Sequence, residues 1–476
     1  MMRHERSHTK IIATLGPATS DKDVLRKLFY EGIDVCRLNF SHGTHDDHLQ
    51  NIRLIRELNK ELNARVAILA DLQGPKLRIG DIENNQVYLK EGDEFSLISK
   101  ECAGTRHQAY MSYELLPKDV KKGETILIDD GKIKLEVLHS NKKDRVITKI
   151  IHGGPLSSRK GVNLPSTNIS LPAMTEKDKE DASFALKHKV DWIALSFVRS
   201  STDIIELKDF MKNFRHKARI VAKIEKPEAL KEIGQIIQIS DAVMVARGDL
   251  GVEVDFDQVP IIQKSIVEKC IKAATPVIIA TQMMESMMTN FRPTRAEATD
   301  VANAVIDGAD TLMLSGETSI GRYPDLVIKN MQKIIDWTED HGLRYFRGSA
   351  PAEMSKTFLQ DSMCFNAVQM AHQINAKAII TFTHSGYTAF RISSHRPKAD
   401  IFAFTGNMSL LPMLSLVWGV RAFHLESGKN IEDYINASIN FLKEKKHIQT
   451  GDVIVHIGSI PLQKKGKTNM MKLSYI

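Results

Sequence analysis

The sequence predicts an α/β protein: a (β/α)8 TIM barrel with an inserted small antiparallel β domain and a C-terminal α/β domain. Three observations favour this fold class. Eight apolar, strand-like runs alternate with helical patterns, an interval of strands and turns interrupts them after the third run, and a separate α/β series follows. A chain of 476 residues has room for about three domains. We place the barrel at 1–74 and 172–345, the inserted domain at 75–171 and the last domain at 346–476.

The eight barrel runs are nearly continuous in apolar residues, as parallel strands buried on both faces require. In order they read "KIIATLGP", "DVCRLNFSHG", "RVAILADLQGP", "DWIALSFV", "RIVAKIE", "AVMVARGDLG", "PVIIATQM" and "TLMLSGETS". Helical patterns separate them. Two helix starts, "TEKD" at 175–178 and "TRAE" at 294–297, have the capping-box form, with Thr175 and Thr294 as N-caps.

Between 75 and 171 the pattern changes to short alternating strands separated by turns, as in "QVYLKEGDEFSLIS" and "TILIDDGKIKLEVLHSNKKDRVITKII". Gly123, Gly131 and the "NKKD" turn separate these runs, and Pro75 and Pro172 lie near the borders. We expect a small β-barrel domain. Because it follows the third strand of the main barrel, it would hang over the mouth of that barrel as a lid.

The last part of the chain returns to alternating strands and helices. The strand-like segments are "AKAIITFT", "ADIFAFT", "VRAFHL" and "DVIVHIGS", and the helical stretches include the amphipathic "NIEDYINASINFLKEKK". This alternation predicts a third domain with a mostly parallel sheet.

The composition is that of an ordinary globular protein, with 42% hydrophobic and 26% charged residues and a formal net charge of +7. No basic stripe is interleaved with aromatic residues, so we do not expect nucleic-acid binding, and we interpret Lys464, Lys465 and Lys467 as a solvated tail. The four cysteines form no C-x-x-C pair, which fits a reducing, cytoplasmic setting. We expect neither a membrane span nor a signal peptide, because no apolar stretch is long enough.

Polar residues follow the apolar runs, at the ends where a (β/α)8 barrel carries its chemistry. These positions are Arg37, Asn39, Ser41, Asp71, Lys223, Glu225, Arg247, Asp249, Thr281, Ser315 and Glu317. Any one of them can be explained as a helix cap or a loop ion pair. Together they converge on one face of the barrel, and we expect that face to be the active site.

Lys223 and Glu225 alternate in "VAKIE", so both side chains should project to the same side of one strand. Glu225 and Asp249 follow successive runs and could share a Mg²⁺ ion, which typically binds one or two carboxylates plus substrate oxygens. Lys223 would then supply positive charge to a transferring phosphoryl group or an enolate. The alternative is a Lys–Glu salt bridge that closes the top of the barrel.

Three further patterns are ambiguous or misleading. "ARGDLG" could open a helix with free N–H groups for a small carboxylate or phosphate, although "GD" is also ordinary turn chemistry. "PLQKKGKT" at 461–468 ends like a P-loop but has Pro461 where the first glycine is needed. His42, His45 and His48 could be metal ligands, but a solvated helix start explains them equally well.

Six motifs together resemble the pyruvate kinase family: "CRLNFSHG", "AKIEKPEAL", "MVARGDLGVEV", "IIATQMMESM", "PTRAEATDVANAV" and "LSGETSIGRYP". The resemblance runs from about residue 9 to the end, in the domain order of the family. It implies transfer of the phosphoryl group of phosphoenolpyruvate to ADP, giving pyruvate and ATP in the last step of glycolysis. It also implies a cytoplasmic homotetramer that is activated allosterically by a phosphorylated metabolite.

The resemblance also implies roles for individual residues. Glu225 and Asp249 would hold Mg²⁺ (or Mn²⁺), Lys223 would stabilise the transferring phosphoryl group and Arg37 would contact the phosphate. Transfer of this kind depends on positioning and charge neutralisation more than on covalent chemistry, and a mobile lid could exclude water from the site.

The same resemblance implies how the two substrates are held. The carboxylate end of phosphoenolpyruvate would lie on the Gly248–Asp249 backbone and Thr281, with Thr281 near the proton that is delivered to the enolate. The residues implied to bind the nucleotide ADP or ATP are Arg78, Lys160, Asn39 and His42.

Many members of the family need K⁺, held by an Asn, a Ser, an Asp and a Thr. Asn39, Ser41 and Asp71 match this monovalent-cation site, but Leu72 stands at the threonine position. Lys76 stands where K⁺-requiring members carry glutamate, and an ammonium near Asp71 could fill the site. We therefore expect a K⁺-independent enzyme of the lysine-bearing, bacterial type. The alternative is a solvated lysine at a domain hinge.

In the last domain, "TFTHSGYTAF" resembles the start of the family's effector site. Small hydroxyls and backbone N–H groups at a helix start suit a sugar or nucleotide phosphate. The candidate effector residues are Thr381, Thr383, Ser385, Gly386 and Thr388. The lysines of "QKKGKTN" could close over them. A plain N-cap cluster is the alternative, and departures from the family in this loop leave the identity of the effector open.

Two other functions compete with this reading. One is a Mg²⁺-dependent lyase or aldolase acting on pyruvate or phosphoenolpyruvate, against which Arg78, Lys160 and the inserted lid argue. The other is a metabolite-sensing protein with an inactive barrel, against which the presence of Lys223, Glu225 and Asp249 argues. Dependence of the reaction on ADP discriminates the first alternative from a kinase.

Overall fold

The computed structural model of the chain describes residues 7–342 except 168, then 345, 347, 350–351, 353, 355–426, 430–460 and 468–476. The first part of the chain forms three strands and two helices: β1 (Lys10–Thr14), α1 (Lys22–Glu31), β2 (Val35–Asn39), α2 (His45–Glu61) and β3 (Ala67–Asp71). The side chain of Asp21 caps α1 by accepting from two backbone N–H groups, and Gly32 ends the helix with a φ of 104°.

The inserted domain follows β3. Its elements are β4 (Gln86–Leu89), β5 (Glu94–Ile98), β6 (Gln108–Tyr110), α3 (Leu116–Asp119), β7 (Thr125–Ile128), β8 (Ile133–Ser140), β9 (Arg145–His152), β10 (Gly154–Ser157) and β11 (Val162–Asn163). They form a six-stranded sheet in the order β11-β7-β8-β9-β5-β6 and a ribbon of β10 and β4. The pairings are antiparallel except for β5 with β6. Single backbone bridges join 78–79 to Gly161 and to Met111, so this segment links the two edges of the sheet.

The chain then completes the barrel. The elements of this part are α4 (Glu176–Lys187), β12 (Trp192–Leu195), α5 (Ser201–Met211), β13 (Arg219–Ile224), α6 (Pro227–Lys231), α7 (Ile233–Ile239), β14 (Ala242–Ala246), α8 (Arg247–Glu253), α9 (Val259–Ala273), β15 (Val277–Ala280), α10 (Arg295–Asp307), β16 (Thr311–Leu314), α11 (Gly316–Ser319) and α12 (Pro324–His341). Thr175 and Thr294 form the predicted capping boxes of α4 and α10. Short 3-10 turns lie at Pro17–Thr19, Glu83–Asn85, Glu285–Met288 and Leu414–Leu416.

The eight predicted barrel strands all form, and they close in the order β1-β16-β15-β14-β13-β12-β3-β2 with parallel pairing. Alternate side chains point inward, so Val221 belongs to the cluster inside the barrel, whereas Ile220 and Ala222 pack towards the helices. The same alternation carries Lys223 and Glu225 to the inner side at the carboxyl end of β13. That end is called the top of the barrel below, and the opposite end the bottom.

The C-terminal domain packs against the bottom of the barrel. Its elements are α13 (Phe358–Gln373), β17 (Ala378–Phe382), α14 (Tyr387–Ser394), β18 (Asp400–Thr405), α15 (Leu410–Met413), β19 (Val420–His424), α16 (Ile431–Glu444), β20 (Val453–Gly458) and β21 (Met470–Tyr475). The sheet order is β19-β18-β17-β20-β21, and the four predicted strands are parallel. The sequence did not indicate β21, which pairs antiparallel at the edge. Among the described residues, none of the helices has the length and apolar character needed to cross a membrane.

Candidate active site

Asp71 lies at the centre of the charged residues at the top of the barrel. It is the last residue of β3, it pairs in register with Asn39 of β2, and it is 1% exposed. Arg37 Nε lies 2.7 Å from Oδ2, and Lys223 Nζ lies 3.2 Å from Oδ1. Burial alone would raise the pKa of Asp71, but the charges of Lys223 and Arg37 outweigh it, and the pKa is lowered. Asp71 therefore stays ionised and holds two cations, Arg37 of β2 and Lys223 of β13.

Lys223 is the inner-facing cation of the site. Its ammonium lies 2.9 Å from Glu225 Oε1 and donates to Ser196 Oγ at 2.7 Å. Burial lowers the pKa of Lys223, but the charges of Asp71 and Glu225 have the larger combined effect and raise it above the ordinary value. The ammonium is therefore a permanent positive charge with little access to water.

Glu225 is 1% exposed, and its Oε2 accepts from the backbone N–H of Phe197 at 2.7 Å. No hydrogen bond within the described chain is directed at Oε1, although the Lys223 ammonium lies at ion-pair distance. Burial raises the pKa of Glu225; the Lys223 charge opposes this effect and the Asp249 charge adds to it. The Glu225 and Asp249 carboxylates are therefore near enough to repel each other.

Thr281 and the start of α8 form the next part of the site. The backbone N–H of Gly248 donates to Thr281 Oγ1 at 2.7 Å, and that hydroxyl donates to the carbonyl of Ala280 at 2.6 Å. Thr281 has a φ of 73°, and the Arg247 guanidinium donates to its carbonyl. Strain of this kind in a non-glycine residue is typical of functional positions.

An open cavity of about 720 Å³ runs from this site between α8 and the ends of β15 and β16. Asp249, Thr281 and Ser315 line it together with Glu317 and the lid residue Asp130. Glu317 is buried, and its carboxylate accepts from the backbone N–H groups of Ser315 and Met284. Burial raises the pKa of Glu317, and these hydrogen bonds oppose the shift. Glu317 is one of the predicted strand-end residues, and it holds the backbone of Ser315 and Met284 in place.

Arg247, another predicted strand-end residue, contacts Asp300 of α10 at 2.7 Å. Its guanidinium is therefore shared between an ion pair and the Thr281 carbonyl. This arrangement fixes the backbone at the point where the Gly248 N–H donates to the Thr281 hydroxyl.

Two residues of the site were not predicted. Ser196 follows β12 and joins the Lys223 ammonium to the carbonyl of Leu72, to which its hydroxyl donates at 2.7 Å. Thr14 ends β1, and its hydroxyl accepts from Arg37 Nη1 at 2.9 Å. Both occupy carboxyl ends of barrel strands, so the rule that found the other residues applies to them as well.

The residues of the predicted monovalent-cation site lie close together. Asn39 Oδ1 accepts from the backbone N–H of Ser41 at 3.1 Å, and Leu72 is 1% exposed. Lys76 is exposed and lines a narrow cleft between lid and barrel. Within the described chain, the ion pairs of Asp71 are with Arg37 and Lys223.

The residues expected to bind the nucleotide belong to two elements. Arg78 and Lys160 lie in the lid, where Arg78 donates to the carbonyl of Arg159 at 3.0 Å and Lys160 pairs with Asp129 at 2.8 Å. His42 lies on the barrel side. Burial is the main cause that lowers its pKa, and the charges of Lys76, Arg78 and Arg37 lower it further. These charges therefore surround His42 at the entrance of the site.

The three regularly spaced histidines do not form a metal site. His45 Nε2 lies 2.7 Å from Asp181, and the ring of His48 stacks on Phe40 with centroids 4.1 Å apart. Throughout the described ranges, no group of three or more His, Cys, Asp or Glu side chains is placed to hold a metal. A divalent ion at Glu225 and Asp249 would therefore need ligands from a substrate in addition to these two carboxylates.

The candidate effector residues lie where β17 leads into α14. Thr383 Oγ1 accepts from the N–H of Gly386 at 2.9 Å, and Gly386 has a φ of 89°. Ser385 is exposed, whereas Thr381 and Thr388 are buried, with the Thr388 hydroxyl 3.0 Å from that of Thr468. The lysines of "QKKGKTN", at 464, 465 and 467, lie outside the described residues.

Comparison with known proteins places these features in a family. The family model described as pyruvate kinase, barrel domain, matches residues 6–328, and that of the pyruvate kinase alpha/beta domain matches residues 361–474. Pyruvate kinase 2 of Synechocystis is 42% identical over 98% of this chain and 79% of the relative. Pyruvate kinase of Staphylococcus epidermidis is 39% identical over 98% of this chain and 80% of the relative.

The fold agrees with these matches. The crystal structure of a pyruvate kinase from Cryptosporidium parvum superposes with a TM-score of 0.91 at 34% identity, over 98% of this chain and 96% of the other. A family model matches each of the two domains, and one relative is 42% identical over 98% of this chain. This chain therefore belongs to the pyruvate kinase family.

Proposed function

We propose that this chain transfers the phosphoryl group of phosphoenolpyruvate to ADP with a divalent ion held by Glu225 and Asp249. The observation that carries the proposal is the Lys223 ammonium, which is held between Asp71 and Glu225 at the top of the barrel. A fixed cation with little access to water is what a migrating, negatively charged phosphoryl group requires.

The donor set fits Mg²⁺, or Mn²⁺ in its place. Glu225 and Asp249 offer carboxylate oxygens, the preferred ligands of hard divalent ions, and each carboxylate raises the energy of the other. Two protein carboxylates leave most coordination positions to water and substrate. When bound there, the ion would supply charge neutralisation to the phosphoryl oxygens.

Arg37 and Lys223 then orient the phosphoryl group. Arg37 donates from Nε to Asp71 and from Nη1 to Thr14. Its Nη2 has no hydrogen-bond partner in the part of the chain that the structure describes. We assign this free edge to the phosphate of the substrate. Asp71 positions both cations, because it is the carboxylate that they share.

Thr281 and the Gly248–Asp249 backbone would hold the carboxylate end of phosphoenolpyruvate. After transfer, the enolate needs a proton on carbon, and the Thr281 hydroxyl already links two polar groups at 2.6 and 2.7 Å. These two hydrogen bonds would hold the Thr281 hydroxyl near the place where that proton is delivered. ADP would reach the site beneath the lid, between Arg78 and Lys160 on one side and Asn39 and His42 on the other.

K⁺ independence is the next part of the proposal. The buried Leu72 offers no oxygen at the position of the missing ligand. Lys76 lies in the cleft between lid and barrel, and its charge contributes to lowering the pKa of His42 at the entrance of the site. A tethered ammonium would supply that charge without a binding equilibrium.

Regulation is proposed at the loop before α14, with Thr383, Ser385 and Gly386 contacting a phosphorylated effector together with Thr381 and Thr388. The loop is tied to the barrel, since Arg219 Nη2 donates to the carbonyl of Ser385 at 2.8 Å. Arg219 begins β13, the strand whose other end carries Lys223. Assembly as a homotetramer is proposed from membership of the family.

ATP formation from phosphoenolpyruvate and ADP tests the proposal. The reaction is measured with Mg²⁺ in K⁺-free tetramethylammonium buffer, then without Mg²⁺, then with K⁺ added. We expect activity that requires Mg²⁺ and changes little on adding K⁺. Activity that persists without a divalent ion would contradict the roles of Glu225 and Asp249.

Lys76→Glu tests the K⁺ part separately. Because glutamate would put a negative charge at the cleft, we expect this variant to lose most activity in K⁺-free buffer and to recover it with K⁺. Lys122→Glu, at an exposed lid position that does not line the cleft, is the matched control. If Lys76→Glu remains as active without K⁺ as the control, Lys76 does not replace the cation.

A further inference from the structure

A short loop, residues 40–44, joins β2 to α2 at the top of the barrel. It contains His42, which is proposed above to contact the nucleotide, and Ser41 of the predicted monovalent-cation site. The backbone N–H of Ser41 donates to Asn39 Oδ1 at 3.1 Å, and that of His42 donates to the Asn39 carbonyl at 3.2 Å. These hydrogen bonds attach the loop to the end of β2.

The helix α4 contacts both ends of this loop. Lys177 Nζ donates to the carbonyl of Phe40, the first loop residue, at 2.9 Å. The same ammonium lies 2.5 Å from Asp181 Oδ2, and Asp181 Oδ1 lies 2.7 Å from Nε2 of His45. His45 directly follows the loop and is the first residue of α2. One carboxylate therefore joins the two ends of the loop to one helix.

A ring of α4 strengthens this connection. Phe184 stacks on His45 with centroids 4.4 Å apart and meets Phe40 edge-on at 6.1 Å. The side chain of Asp181 is 4% exposed, whereas those of Lys177 and His45 are 51% and 44% exposed. Replacing Lys177 or His45 therefore removes a contact of the loop without opening the hydrophobic core.

The cations proposed to bind the phosphoryl group are supported in another way. Arg37 contacts Asp71 and Thr14, and Lys223 contacts Asp71 and Ser196. These partners follow or end barrel strands, and none of them belongs to α4. Loss of the α4 contacts should therefore disturb the loop and leave both cations in place.

We propose that Lys177, Asp181 and His45 form a clamp that positions the 40–44 loop for binding of the nucleotide. They are positioning residues, because they act through His42 and the loop backbone. The inference rests on the proposed function, since it takes His42 as a contact of ADP. Its consequence is that loss of the clamp weakens the binding of ADP and leaves that of phosphoenolpyruvate nearly unchanged.

Two substitutions of one residue test the clamp. Lys177→Met removes the ammonium that joins Phe40 to Asp181, and Lys177→Arg keeps a positive donor at the same position. We expect KM for ADP to rise about fivefold in Lys177→Met and less than about twofold in Lys177→Arg, because a charge-assisted hydrogen bond is lost in the first and replaced in the second. KM for phosphoenolpyruvate should change less than about twofold in both, as should kcat.

Lys179→Met is the matched control. Lys179 lies two positions further along α4, and its ammonium pairs with Glu176 of the same helix at 2.8 Å. The substitution removes an equivalent charge without touching the loop, so we expect both KM values to stay within about twofold of the original. Thermal unfolding of each variant shows whether α4 remains packed.

His45→Ala tests whether the two ends of the loop are held through the same carboxylate. If they are, this substitution and Lys177→Met should not be additive, and the double variant should exceed the larger single effect on KM for ADP by less than about twofold. Single effects that multiply fully in the double variant would overturn the shared clamp.

A calorimetric titration of ADP in the presence of Mg²⁺ measures binding apart from turnover, and we expect about fivefold weaker binding in Lys177→Met. Unchanged ADP binding in that variant, or equal rises in both KM values, would overturn the clamp while leaving the proposed function intact. An unsubstituted enzyme that forms no ATP, with Mg²⁺ and with or without K⁺, would instead overturn the proposed function and the clamp with it.

Discussion

The two ends of the barrel both carry buried carboxylate side chains, but these carboxylates have different roles. At the bottom, an aspartate directly precedes every second strand, and one of its oxygens accepts from a backbone N–H of the adjacent strand at 2.8 to 3.0 Å. The four aspartates and their donors are Asp34 with Ile11, Asp191 with Ile68, Asp241 with Ile220 and Asp310 with Val277. These carboxylates complete the hydrogen bonding of strands at the point where the ladder begins.

Cations lie beside carboxylates at both ends, as Arg396 does beside Asp310, but at the top the cations belong to the candidate active site. Asp71 and Glu225 surround Lys223, and Asp71 also binds Arg37. A backbone N–H group at the start of a strand cannot leave the carboxylate to which it donates. A cation between two acids, in contrast, can exchange one of these partners for an incoming phosphate. The comparison teaches that the carboxylates of the two ends differ in what they fix, the start of an adjacent strand at the bottom and the shared cations Arg37 and Lys223 at the top, and not in residue type or burial.

The largest effect that we expect from this comparison is on catalysis at the top. Lys223→Met removes the cation that faces the transferring phosphoryl group, and the loss of such a charge costs about 10³-fold or more in kcat. Steady-state kinetics with saturating phosphoenolpyruvate and ADP measures it.

Lys10→Met is the matched control for that substitution. Lys10 begins β1 at the bottom, is 6% exposed and lies 3.9 Å from Asp34. We expect its kcat per folded molecule to stay within about twofold of the original, because no reacting group lies at that end. Similar losses of kcat in the two variants would break the distinction between the ends.

The next effect is on stability at the bottom. Asp310 joins three partners: Val277 N–H, the N–H of Trp418 and the guanidinium of Arg396, which is 1% exposed. Asp310→Asn leaves Arg396 buried without its counter-ion, and breaking such a pair costs about 3–5 kcal/mol. We expect a fall in apparent Tm of roughly 5 °C, with kcat at room temperature little changed. A normal Tm with a reduced kcat would assign a catalytic role to the bottom instead.

Much of this organisation could be predicted from the sequence. The eight apolar runs became the eight barrel strands, because buried parallel strands leave a continuous apolar pattern that few other elements share. The positions after those runs led to Arg37, Asp71 and Lys223, which the structure brings together within ion-pair distance. Strand ends in a closed barrel converge whatever the helices do, and this is why the prediction needed no knowledge of the helices.

Other features have no local pattern. The bottom aspartates directly precede strands, and in sequence they resemble ordinary loop residues. Their role depends on register with a strand that can be far away, as with Asp191 and Ile68, which are 123 positions apart. The lid contact of Asn163 with Glu253 spans 90 positions and two domains. The edge strand β21 lacks the continuous apolar pattern, because an edge strand is covered on fewer sides than a central one.

The smallest effect concerns the pH dependence of stability at the bottom. Burial raises the pKa of Asp191 from 3.8 to about 7; its hydrogen bond from Ile68 and the charge of Arg56 oppose the shift. The folded state therefore binds this proton more tightly than the unfolded state. Stability from this group is greatest below pH 3.8, declines as the pH rises, and stays low above about pH 7.

Asp191→Asn removes that titration while keeping an oxygen that can accept from Ile68. We expect the Tm of the variant, relative to the original, to rise by roughly 2–4 °C between pH 4 and pH 7 and to change no further above it. Arg56→Gln sharpens the test: without the opposing positive charge, the pH range of the decline should extend upwards. A Tm difference between Asp191→Asn and the original that is constant with pH would mean that Asp191 is ionised in the fold. Asp191 would then carry charge as Asp71 does at the top, and these two carboxylates would differ only in the partners that they face.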